Sequence, residues 1–299
     1  MTKFKIIILG RGDSDKLERC LKSLKNQTYT NYDVCIIDDA TWPKSMRDEG
    51  INAGIRYNYQ EVAKKYCDKY SNWILKINDK RRYGALNHLQ AVHLLNCKDE
   101  DVIVDLDADD YLFSEYSLEI VNDYYTKNTN KLSPYNEVNT DVWLTFGSYV
   151  RLSDHLIQPN TIEHKKYEVY KKNYDYVINT LRSIDGDYYI PTHHAKGSRT
   201  TAGNYALRTY KYFLWKNISS KDFMINGEII KRGEDKIYMK AMMEMAGCNY
   251  VSIPQLLYVY DDIDAKNAEI KYWYNKLGFR EIEHMEQFKK DLNIKMTTN

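Results

Sequence analysis

A chain of 299 residues with 43% hydrophobic content can bury a substantial core, as one large domain or two modest ones. Lys and Arg number 43 against 42 Asp and Glu, so no global field draws the chain to nucleic acid or to an anionic membrane. The five cysteines are odd in number, widely spaced and free of C-x-x-C pairs, which argues against a disulfide framework and a structural zinc site.

No apolar window reaches the ~18 residues a membrane helix needs, and Lys3 to Leu9 is too short for a signal peptide's apolar region. The expectation is a protein of the reducing cytoplasm with no membrane span. Tyrosine occurs 28 times. Codon bias in an AT-rich genome, such as that of a large DNA virus, accounts for this as readily as function does.

In chain order, Phe4 to Leu9 reads as a first strand. A helix follows to Asn26, with Asp15 and Glu18 resembling a capping box and Leu17, Cys20, Leu21 and Leu24 at helical spacing. Val34 to Ile37 is a second strand ending in Asp38-Asp39, and strand, helix, strand implies a right-handed parallel crossover. A looser helix carrying Tyr59, Val62, Ala63, Tyr66, Cys67 and Tyr70 precedes a strand at Trp73 to Ile77. A helix from Tyr83 to Leu95 and a strand from Val102 complete the α/β half. Beyond it, Ser114 to Tyr125 reads as helix, 127–140 as an exposed connection, and Val142 to Leu152 as strand. Residues 154–190 show no period, although His164 to Tyr176 has helical composition. Tyr205 to Ile218 and Glu234 to Ala246 read as helices, Gln255 to Tyr260 as a strand, and Arg280 to Leu292 as a polar terminal helix.

The strand from Val102 runs directly into Asp105, Asp107, Asp109 and Asp110. Like charges this close raise one another's pKa, so the cluster calls for a cation. Carboxylate oxygens suit Mg²⁺ or Mn²⁺, which would leave positions open for phosphate oxygens. The turn should follow Asp107, placing the acids at the strand's C-terminal tip, where open α/β sheets bind ligands. Asp38-Asp39 ends a neighbouring strand and could accept from a pyrimidine or ribose; it reads equally as an Asx turn. Lys80-Arg81-Arg82 at a helix start offers cations and oriented N–H groups to phosphate. Gly233-Glu234-Asp235 opens a later helix as a cap or as a general base for an acceptor hydroxyl. His193-His194 precedes a polar Gly-rich stretch through Asn204 that could close over a substrate.

This order of motifs resembles the family 2 type of nucleotide-sugar glycosyltransferases with the GT-A fold. The matching pieces are Cys20-Leu-Lys-Ser-Leu-Lys-Asn-Gln-Thr28, Val34 to Asp39, Arg82-Tyr-Gly-Ala-Leu-Asn87, Asp105 to Asp110 and Gly233-Glu-Asp235. About the first hundred residues carry the likeness, and nothing aligns from Tyr111 to about Ile190. The resemblance implies a mixed, mostly parallel Rossmann-like sheet flanked by helices. It would form one main domain over 1–262, with 1–110 as the nucleotide-sugar half, 140–262 as the acceptor half and 263–299 as a helical tail. It further implies that Asp38 or Asp39 reads uracil and ribose and that Arg82 touches the pyrophosphate. Asp107 would meet ribose and metal, Asp109 would ligate Mn²⁺ (or Mg²⁺), and Gly203-Asn204 would line the sugar pocket. Asp235, or Glu234, would be the catalytic base.

Two features depart from the family pattern. Leu9-Gly-Arg-Gly-Asp13 replaces its Pro-Thr-Tyr-Asn-like turn, and Lys236-Ile-Tyr238 matches its aromatic position imperfectly.

The expected activity is metal-dependent transfer of a hexose, glucose or galactose, from a UDP-sugar to a hydroxyl of a saccharide or glycoprotein. By biological analogy, a hydroxylysine-linked sugar on a collagen-like chain is one such acceptor. Stereochemistry stays open between inversion and retention. Two rivals are a sugar 1-phosphate nucleotidyltransferase, thinly echoed by Gly10-Arg-Gly12 with Lys16, and a non-catalytic nucleotide-sugar-binding subunit.

Overall fold

The apolar run of β1 (Phe4–Gly10) is buried on both faces, as a central strand of a parallel sheet must be. The computed structural model describes residues 1–41, 58–126, 141–151, 206–247 and 249–261. The expected connection at 127–140, the helices at His164–Tyr176 and Arg280–Leu292, and the tail at 263–299 lie outside them.

Helix α1 (Ser14–Lys25) packs its Leu17, Cys20, Leu21 and Leu24 side inward. Its cap is Asp13, whose carboxylate accepts from the backbone N–H of Asp15 and Lys16, two residues earlier than the capping box suggested. Then come β2 (Tyr32–Asp38), α2 (Tyr59–Cys67), β3 (Trp73–Ile77), α3 (Tyr83–Leu94), β4 (Val102–Asp107), the two-residue β5 (Tyr111–Leu112) and α4 (Ser117–Thr126). The second half holds β6 (Leu144–Arg151), β7 (Arg208–Lys211), α5 (Tyr212–Trp215), the short hairpin β8 (Met224–Ile225) and β9 (Glu228–Ile229), α6 (Glu234–Ala246) and β10 (Tyr250–Tyr260).

The main sheet runs β3-β2-β1-β4-β7-β6-β10-β5. Strands β3, β2, β1 and β4 are mutually parallel, β7 runs antiparallel between β4 and β6, β6 and β10 are parallel, and β5 closes the edge antiparallel. Strand alternation splits the core in two. Ile6 and Ile8 pack with α1, α2 and α4, whereas Ile7 packs with α3, α5 and α6. Each such fully buried side chain contributes roughly 1.5–3 kcal/mol of hydrophobic stabilisation. Because β1 is flanked by β2 and β4, the chain order reverses there, and the C-terminal ends of these strands open a crevice.

Tyr205 to Ile218 is not the single helix its composition suggests. Arg208–Lys211 is a strand and only Tyr212–Trp215 is helical. Thr209 and Tyr210 are strand formers, and pairing with β4 on one side and β6 on the other outweighs local propensity. Cys20, Cys35, Cys67 and Cys97 are free thiols. Among the described residues no helix is long and apolar enough to cross a membrane.

Candidate active site

The crevice is a cleft of about 510 Å³. Strand β4 ends at Asp107, and the backbone turns there through a bond from Asp110 N–H to the Asp107 carbonyl, as the sequence suggested. The four acids then separate by environment. Asp105 is buried under the cleft, accepting from the Tyr210 hydroxyl at 3.0 Å and the Tyr238 hydroxyl at 2.6 Å. Asp107 lines the cleft with its side chain 49% exposed. Asp109 is exposed at the tip. Asp110 is buried and structural, accepting from the Tyr258 hydroxyl and the Asp261 backbone N–H, both at 2.7 Å.

One cation in this acidic ground comes from the protein. Arg208, placed opposite Asp105 by the antiparallel register, puts Nη1 2.9 Å from Asp235, Nη2 3.7 Å from Asp107 and Nε 4.0 Å from Asp105. Burial alone would lower the pKa of its guanidinium, but the surrounding Tyr238, Asp235, Asp107 and Asp105 hold it well above the usual arginine value. Beneath it, His88 Nε2 lies 2.7 Å from the Tyr210 hydroxyl and 3.5 Å from Asp105, and the His88 ring stacks on Trp215. Burial lowers the His88 pKa against the pull of Asp105, and it raises both tyrosine hydroxyls further in the carboxylate's company.

Confinement in the cleft, with Asp109, Asp235 and Asp105 nearby, pushes Asp107 up to about 7 despite Arg208. Such a carboxylate is short of positive charge. Asp107 lines the cleft, whereas Asp109, two residues on and exposed, does not line it and has Lys16, Asp13 and Asp261 as charged neighbours; their hard oxygens suit Mg²⁺ or Mn²⁺ completed by phosphate oxygens and water. Among the described residues no group of three or more His, Cys, Asp or Glu could form an all-protein cage.

On the β2 side, Asp38 is buried and already engaged by the Thr41 backbone and hydroxyl and by Gln60 Nε2. Asp39 borders the cleft and accepts from the backbone N–H of Arg82 and Tyr83, at 2.7 and 3.1 Å, and from Asn78 Nδ2. It therefore holds the start of α3, where Tyr83 has φ +63°, a left-handed value unusual for a large side chain. The Tyr83 ring carries the Arg81 guanidinium at 4.7 Å and Lys231 Nζ at 5.7 Å from its centroid. Arg81, Lys231 and Arg232 line the cleft. Arg82 does not, and its guanidinium lies 3.9 Å from Asp79.

The opposite wall is the start of α6, whose N-cap Gly233 takes φ +82°, a conformation glycine adopts without strain. Asp235 projects into the cleft with its Oδ2 held by Arg208. Glu234 lies against Gly84 at the first turn of α3, where any Cβ would collide with its carboxylate. Desolvation, with Asp235 beside it, pushes Glu234 up to about 7. Gly203, Asn204, His193 and His194 lie outside the described residues.

Lys16, which follows the Gly10-Arg-Gly12 turn, is 3.3 Å from Asp261, which Arg19 also engages. It does not line the cleft. Arg208, His88, Lys231 and Arg232 belong to none of the sequence motifs. Arg232 adjoins Gly233-Glu-Asp235 and could have been found there; Arg208 carries no local signal.

The sheet order, the crevice at the reversal of chain order and the facing acids define the GT-A fold of nucleotide-sugar glycosyltransferases. Among solved structures the chain is similar to residues 1–349 of S. aureus TarS in complex with UDP, at 13% identity and TM-score 0.52, covering 87% of this chain and 60% of that one. The same fragment in complex with UDP-GlcNAc gives 13% identity, TM-score 0.51 and coverages of 87% and 58%. The chain thus spans about three fifths of the length of these structures. No family model and no curated protein matches it.

Proposed function

We propose that the chain transfers a hexose from a uridine diphosphate sugar to a hydroxyl of a saccharide or glycosylated protein, with glucose and galactose as the first donors to test. The observation that carries this reading is the cleft itself. It sets Asp107 at the tip of β4 against Glu234 and Asp235 of α6, with Arg81, Lys231 and Arg232 along its lining. A neutral binding protein has no need of two facing acid groups; a transferase uses one for the leaving group and one for the acceptor.

In this reading Asp39, bordering the cleft, meets the ribose or uracil, and Asp38 fixes the turn beneath it. Arg81 and Lys231 stabilise the departing diphosphate, with Arg82 at the same helix start. Asp107 and Asp109 would hold Mn²⁺ or Mg²⁺, which supplies charge neutralisation of the diphosphate. Gly203 and Asn204 are the candidates for the sugar pocket. The acceptor oxygen bonds to the sugar C1 while the C1–O bond to the diphosphate breaks, its electron pair leaving on the phosphate oxygen. The hydroxyl proton passes to Asp235, the nearer acid to Arg208, or to Glu234. Charge at the anomeric centre is oxocarbenium-like, as in glycoside hydrolysis. A base facing the leaving group gives inversion.

The test is a donor panel with Mn²⁺, scored for UDP release with and without sugar acceptors, and for the product anomer by NMR. UDP-GlcNAc joins UDP-glucose and UDP-galactose, because TarS was crystallised with it. Acceptor-dependent UDP release is the expected outcome. Pyrophosphate formed from UTP and glucose 1-phosphate would instead make the chain a nucleotidyltransferase, and binding without turnover a carrier subunit.

A further inference from the structure

We propose that Arg208 is the positioning residue of this site: its guanidinium fixes the carboxylate of Asp235 and ties it to the Asp107 end of the donor site. The inference rests on the glycosyl-transfer reading and deepens it. Arg208 is only 11% exposed, whereas its partners Asp235 and Asp107 are 31% and 49% exposed. The cation therefore lies deeper than its partners, and it lines the cleft together with them. One planar fork serves acids from two elements, β4 and the first turn of α6, which no chain connection holds in register.

The support beneath is equally built. Asp105 faces the Nε edge of the guanidinium at 4.0 Å, and two tyrosine hydroxyls hold Asp105. His88 in turn contacts the Tyr210 hydroxyl. Strand β7, strand β4, helix α3 and helix α6 all contribute to it. A surface ion pair needs no such scaffold, and a buried one is weak support for stability by itself, since desolvation offsets the attraction. Pre-organisation is the better account: Asp235 Oδ2 is taken by Arg208, while Oδ1 has no protein donor among the described residues and is left for an acceptor hydroxyl. Lysine could neutralise one of the acids but could not span three.

Four chains test this, Arg208→Lys, Arg208→Ala, Asp235→Asn and Arg208→Ala with Asp235→Asn, each measured for UDP affinity by calorimetry with Mn²⁺ and for kcat and donor KM. Arg208→Ala should lose about 100-fold in kcat with donor KM and UDP affinity changed by less than about threefold, the signature of lost orientation rather than lost donor binding. Guanidinium ion at millimolar concentration should recover part of that rate, and sodium at equal ionic strength should not. In the Asp235→Asn background the loss at Arg208 should vanish, because both act through one group. Should Arg208→Ala fail to fold, Arg208→Lys keeps the charge and should show the same fall in kcat. Arg208→Lys with wild-type kcat, or additive losses with no guanidinium rescue, would overturn the assignment while leaving the transferase intact. A wild-type chain that neither binds UDP nor releases it from any donor would remove the functional reading itself, and this role with it.

Discussion

Replacing Tyr238 by Phe removes one oxygen from beneath the site and leaves the ring packed against Trp215, whose centroid lies 5.1 Å away. The hydroxyl lost is the 2.6 Å donor to Asp105 Oδ2. Tyr210 still donates at 3.0 Å and Arg208 still lies 4.0 Å away, so the carboxylate is weakened rather than abandoned. A hydrogen bond to a charged group is worth ~1.5–3 kcal/mol, so a loss of about 2 kcal/mol in urea unfolding is expected. At roughly 2–4 °C per kcal/mol for a chain of this size, Tm should fall by roughly 4–8 °C. The decisive measurement is the cycle with Asp105→Asn, because an amide oxygen accepts more weakly than a carboxylate and Tyr238→Phe should then cost only about 1 kcal/mol. If Tyr238→Phe costs the same in both backgrounds, or less than about 0.5 kcal/mol in the parent, Asp105 is not the charged keystone that the Arg208 argument needs.

Asp109→Asn should abolish turnover and metal-dependent UDP binding while shifting stability by no more than ~0.5 kcal/mol, because the side chain is exposed; an active Asp109→Asn enzyme would refute the metal assignment. Gly84→Ala should leave Tm unchanged or slightly higher, since a helix interior favours Ala by ~1 kcal/mol and the obstacle to its methyl is the mobile end of Glu234. Turnover should drop more than about tenfold as Glu234 is displaced; full activity would show that the place of Glu234 is irrelevant. Glu234, with an ordinary value of 4.5 raised to about 7, binds its proton more tightly folded than unfolded. Its contribution to stability therefore falls as pH rises between those two values, and Glu234→Gln should flatten that part of the Tm–pH profile. Asp107 titrates the same way, so part of the slope should persist in Glu234→Gln; an unchanged slope would mean that Glu234 is not desolvated.

The N-terminal half of the fold was legible because its signals are local. Leu17, Cys20, Leu21 and Leu24 repeat at helical spacing, Phe4 to Leu9 and Val34 to Ile37 are short apolar runs, and each strand ends in the polar residues that mark a crevice. The acid groups were legible for the same reason, being contiguous in sequence. Strand β7 was not, since four residues, two of them cations and one aromatic, carry neither period clearly, and the register that makes them a strand is supplied by β4 and β6. That one misreading also hid Arg208. It is 103 residues from Asp105 along the chain, its exact partner across the ladder, and no spacing rule links such distant positions.

The hidden arginine changes how the charge of the site must be understood. Carboxylates as crowded as Asp105, Asp107 and Asp109 require positive charge, and from sequence alone a metal is the obvious supplier. In the folded chain Arg208 satisfies the buried part of that requirement, together with the tyrosine hydroxyls on Asp105 and the pairing with Asp235. What stays unmet is at the cleft, where Asp107 is raised to about 7 even with Arg208 nearby. Two carboxylates, Asp107 and the exposed Asp109, are a thin ligand set for Mg²⁺ or Mn²⁺, which prefer six oxygens. A diphosphate would complete such a set, and its own negative charge would meet Arg81, Lys231 and Arg232 along the same cleft. The division of labour follows from depth: the permanent cation meets Asp105, Asp107 and Asp235 from the buried side, and an exchangeable one would arrive with the donor on the open side.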